Sequence, residues 1–104
     1  MDRMRADLDA VGGGLQSGDA KFESRSDRTR FSCEVEDVSG GGTLTVKVDG
    51  MTVGTIALEF DSATGLFGGD LNLDDRDGDT VPNMVPGDSI DVIRGTATIL
   101  SGSF

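Results

Sequence analysis

The chain has no histidine, no tryptophan and no tyrosine, and it holds a single cysteine in 104 residues. Without histidine there is no Ser-His-Asp or Cys-His nucleophile, no histidine-ligated zinc or iron, and no imidazole to titrate near neutral pH. Without tryptophan or tyrosine the usual flat stacking platforms for sugars and bases are missing. Phe22, Phe31, Phe60, Phe67 and Phe104 are the whole aromatic supply. One cysteine cannot close an intrachain disulfide. No run of about 18 apolar residues exists, so no membrane insertion is expected. The opening residues, MDRMRADLDAVGGG, lack the apolar stretch of a secretory signal.

Positive charge is also scarce. Nine bases stand against nineteen acids, a net charge of −10. Residues 1–30 are balanced, with six of each sign, so residues 31–104 carry the entire excess. Phosphate neutralisation needs a basic face, which leaves no nucleic acid among the expected partners. Solubility and attraction of cations are favoured instead.

What is present reads as one small β-domain. An apolar fraction of 36% supports one thin core, and sixteen glycines imply many turns and bulges. Residues 1–16 are expected to be a flexible or short helical segment, with Met4, Leu8 and Val11 on one helical stripe and the glycines at 12–14 as its stop. From residue 17 to 104 the dominant period is two. Ala20 and Phe22 alternate with Lys21 and Glu23, and Phe31, Cys33 and Val35 alternate with Ser32, Glu34 and Glu36. The second pattern places Cys33 on the apolar face as a small buried hydrophobe.

Leu44, Val46 and Val48 follow in phase, and Asp49-Gly50 marks a type I′ hairpin, which needs φ > 0 at both central residues. Ile56, Leu58 and Phe60 share a phase that Val53 breaks, so a β-bulge is expected at Gly54. Phe67, Leu71 and Leu73 then alternate, and DSIDVIRG and TATILSGSF complete about seven strands. With no crossover helices, these strands predict an all-β fold, an antiparallel sandwich or small barrel.

The run GDAKFESRSDRTRFSCEVEDV, followed by GTLTVKVDGMTVGTIALEFD, PGDSIDVI and ILSGSF, resembles a small β-domain of uncharacterised bacterial proteins predicted to be exported. The resemblance covers about residues 17–104 and rests on strand and hairpin patterns. It implies an all-β module with an extracellular or cell-surface location, and it carries no functional residues across.

One stretch has the look of chemistry, DLNLDDRDGDTVPNMVPGD at residues 70–88. Its aspartates suggest calcium, which takes six to eight oxygen ligands on a tight loop. Neither EF-hand register survives inspection. Starting at Asp70 places Asp75 where glycine belongs and Val81 where glutamate belongs, and starting at Asp75 places Thr80 and Pro86 there. A looser, weak Ca2+ site at Asp74, Asp75, Asp77 and Asp79 is the metal expectation. The competing expectation is a solvated connection whose Asp, Asn, Gly and Pro residues serve turns.

Other signals are weaker. Glu34, Glu36 and Glu59 could pair as catalytic carboxylates, yet Glu34 and Glu36 fall on a polar strand face, and no enzyme is expected. The glycine clusters fit no phosphate-binding motif. Lys21, Arg25, Arg28 and Arg30 form a small basic patch that reads as a solvated sheet edge. The apolar ATILSGSF either packs into the sheet or offers an edge for a protein partner or self-association. The expected function is a non-catalytic structural, adhesive or assembly module. The alternatives are a carbohydrate- or small-ligand-binding β-module and an acid-only hydrolase.

Overall fold

A computed structural model describes residues 2–104, and Met1 lies outside the described residues. The described chain is all-β, nine antiparallel strands in one nearly closed, barrel-like sheet. In chain order they are β1 (Asp2–Ala10), β2 (Ser17–Arg25), β3 (Arg28–Val38), β4 (Thr43–Val48), β5 (Met51–Ala57), β6 (Glu59–Asp61), β7 (Leu66–Asp74), β8 (Ser89–Arg94) and β9 (Ala97–Ser103). Their order across the sheet is β5-β4-β8-β9-β1-β2-β3-β7-β6.

The helix expected in residues 1–16 is not formed. Asp2–Ala10 is a strand that pairs with β2 over seven register positions and touches β9 at Asp9 and Ala10. Pairing on both sides overrides the helix propensity of Met, Ala and Leu, because a sheet neighbour satisfies the backbone and buries the side chains together. This strand raises the count above seven, and the corner at Leu58 raises it again by dividing one expected strand into β5 and β6.

Cross-strand rows build the core. Ala20 faces Cys33 and Phe22 faces Phe31, all fully buried, and Ala6 and Leu8 of β1 extend the layer. Leu44, Val46, Val48, Ile56, Ile90, Val92 and Leu100 bury the opposite wall. Val35 and Val38 are both buried although three residues apart, which strict alternation forbids. A register shift between them resolves the conflict, with Asp37 at a φ of 58°.

The expected hairpin turn and the expected bulge are both in place. Asp49 and Gly50 take φ values of 52° and 79°, the I′ hairpin signature. In the return strand Val46 pairs with Gly54 and Lys47 with Thr52, so Val53 is the bulged residue.

The two sheet edges, β5 and β6, are consecutive in the chain and separated only by Leu58, whose N–H donates to the Gly42 carbonyl at 2.9 Å. One kinked segment thus leaves β4 at its start and joins β7 at its end, closing the body. At this seam a Cβ on Gly69 would stand 2.8 Å from the Ala57 carbonyl oxygen, so only glycine lets the strands meet. The corner also turns Phe60 outward, 61% exposed, out of phase with buried Ile56.

β9 is not an edge. It lies between β8 and β1, and Phe104 packs edge-on against Phe31 with centroids 6.4 Å apart. The segment between β7 and β8 inserts Met84, 3% exposed, into the core.

Candidate functional site

The acidic stretch begins where β7 ends. Asp74 is 8% exposed, the only charged side chain buried among the described residues. Its Oδ1 accepts from the Arg76 N–H at 3.0 Å, capping the single 3-10 turn Asp75–Asp77. Its Oδ2 accepts from Arg28 Nε at 2.9 Å and from Arg28 Nη2. The hydrogen bond from Arg28 holds the Asp74 carboxyl below the usual carboxylate range, and the same bond holds Arg28 more firmly protonated. Asp79 turns its carboxylate back to the Asp74 N–H at 3.1 Å, and Arg76 reaches Asp27 in the β2–β3 turn.

Of the four expected metal ligands, the structure therefore joins Asp74 to Asp79 through the backbone and leaves Asp75 and Asp77 exposed on the 3-10 turn. Among the described residues no three carboxylate or thiolate side chains converge on one point. Asp74 and Asp79 serve as a strand stop, Asp74 held by Arg28 and both accepting from backbone N–H groups, while Arg76 pairs with Asp27 outside the stretch.

A different site emerges on the outer face of β1, β2, β3 and β7. Inward residues Met4, Phe22, Phe31 and Leu73 form one cross-strand row. The outward rows on either side are Arg3, Glu23, Arg30, Asp74 and then Arg5, Lys21, Ser32, Asn72. Outward residues two apart on a strand are separated by about 7 Å. A cavity of about 500 Å³ lies here, lined by both outward rows, by the inward row Met4, Phe22, Phe31 and Leu73 between them, and by Asp77. A smaller cavity of about 240 Å³ adjoins it, sharing Lys21, Ser32 and Asn72 and bounded by Asp19, Glu34 and Asp70.

Charge inside the larger cavity is not evenly compensated. Glu23 is met by Arg25 at 2.7 Å, Arg3 at 3.3 Å and Arg30 at 3.6 Å. Burial opposes its charge, but these three guanidiniums outweigh burial and hold its carboxyl below the usual range. Arg5 reaches Asp19 at 3.8 Å and Asp7 at 3.9 Å, both long contacts. Lys21 makes no ion pair among the described residues. Yet Arg5 and Lys21 are direct register partners, a like-charge pair that costs the sheet stability.

The sequence points to Lys21, Arg25, Arg28 and Arg30 as a small basic patch, and the structure sets Arg25 and Arg30 on Glu23 and Arg28 on Asp74, with Lys21 and Arg30 lining the cavity. It adds Arg3 and Arg5, which a helical reading of residues 1–16 places elsewhere. The missed signal is the alternation of Arg3, Arg5 and Asp7 with Met4, Ala6 and Leu8. Cys33 lies beneath this face, and burial, with Asp19 nearby, pushes its thiol up to about 12. Phe22 and Phe31 contribute to the cavity's lining but are about 1% exposed and offer no open stacking face, Phe104 packs on Phe31, and Phe60 pairs with Phe67 across β6 and β7.

Comparison of the chain with protein-family models and with curated proteins finds no match.

Proposed function

We propose that this chain is a non-catalytic binding module of an adhesive or assembly kind, belonging to an exported or surface protein, and that it recognises its target through the cavity on the outer face of β1, β2, β3 and β7. One observation carries the reading. In a chain of net charge −10, four of nine bases line a single cavity of about 500 Å³. That volume suits a small ligand or one side-chain cluster of a partner. Most of the lining stands on four hydrogen-bonded strands and not on loops, which favours recognition over chemistry that needs moving parts. The lining offers guanidinium, ammonium, hydroxyl and amide groups beside the carboxylates of Glu23, Asp74 and Asp77 and an apolar floor of Met4, Phe22, Phe31 and Leu73, a set suited to holding a target with polar and apolar parts.

Glycan and peptide arrays probed with the folded chain test the proposal. Retained features should be lost in the double variant Arg5→Glu, Lys21→Glu. Equal retention by the variant, or an absence of any retained feature, would remove the groove from consideration.

A further inference from the structure

Resting on that reading, we infer that the groove takes a compact anion, a carboxylate or phosphate group borne on a small molecule, with Arg5 and Lys21 as its principal contacts. The register places these two cations opposite each other, with Ser32 next in the same row. Asp74 is engaged by Arg28 and Glu23 by three arginines. Arg5 meets Asp19 and Asp7 only at 3.8 and 3.9 Å, and Lys21 makes no ion pair among the described residues, so the acids around the cavity neutralise this pair only in part. An anion between Arg5 and Lys21 relieves their repulsion and gains charge-assisted hydrogen bonds from both.

The neighbouring row limits the ligand's size and charge. Asp7, Asp19, Glu34 and Asp70 stand side by side across the same four strands. They lie one outward row, about 7 Å, beyond Arg5 and Lys21. A second anionic group extending in that direction meets four carboxylates. Extended polyanions are thereby rejected, and a ligand with its negative charge concentrated at one end is accepted.

Amide chemical shifts followed by NMR at low ionic strength test the inference with four defined probes: citrate, inorganic phosphate, spermidine and a heparin decasaccharide. Citrate or phosphate should saturably perturb Arg5, Lys21 and Ser32, and whichever binds distinguishes a carboxylate from a phosphate source. Lys21→Gln and Arg5→Gln should each weaken that binding about tenfold or more while keeping the wild-type spectrum elsewhere. The decasaccharide should bind no more tightly than citrate. Perturbation of the same amides by spermidine alone would overturn the anion inference and leave the groove standing as a recognition surface. Silence from every probe would count against both, and tighter binding of the decasaccharide would overturn the compact-ligand limit.

Discussion

At Asp74 one carboxylate ends β7, caps the 3-10 turn and holds Arg28 at the start of β3. Its folded-state carboxyl titrates lower than in the unfolded chain. The stability it contributes is therefore present above the ordinary carboxylate range near pH ~4 and is lost as pH falls through the depressed folded value. Asp74→Asn retains a capping acceptor and removes the charge. The variant should melt below the wild type at neutral pH, and the gap should close as pH drops below ~4 in a series of thermal melts. Met84 is the other residue on which much rests, as the apolar plug of a polar segment. Met84→Ala should cost about 2–4 kcal/mol in urea unfolding, whereas replacement of exposed Val85 should cost under about 0.5 kcal/mol.

At the scale of elements, the seam between β5 and β7 depends on backbone approach. Gly69→Ala places a methyl against the Ala57 carbonyl and the Ile56 side chain. A loss of about 1–3 kcal/mol is expected, with faster amide exchange in β5 and β6. Strands with an apolar face and a clear turn were legible in the residues themselves. Phe31, Cys33 and Val35 are buried, Asp49-Gly50 takes the I′ conformation, and the bulge falls beside Gly54. β1 was harder to read because MRADLDA fits both periods. Met4, Leu8 and Val11 make a helical stripe, while Met4, Ala6 and Leu8 alternate with Arg3, Arg5 and Asp7. Local propensity does not decide between them, and pairing with β2 and β9 does. The groove shared that obscurity, since half of its cations lie on β1. The aspartates of residues 74–79 were visible as a cluster, but their partners Arg28 and Asp27 sit far away in sequence and only the fold brings them near.

At the scale of the whole molecule, the net charge of −10 and the row of four carboxylates make self-repulsion a standing cost. Raising NaCl from roughly 10 to roughly 500 mM should raise the melting temperature through screening. A fall would mean that the ion pairs around Glu23 and Asp74 outweigh the repulsion. The basic groove adds a second cost, two facing cations that the fold does not need. The stability of Lys21→Gln at low ionic strength tests this most directly. If Lys21 is held in place for a ligand, the variant should unfold at the same urea concentration as the wild type or higher, within about 0.5 kcal/mol, while losing citrate-dependent stabilisation. If Lys21 instead supports the sheet, the variant should lose more than about 1 kcal/mol, and the account of the groove as a binding surface would be contradicted.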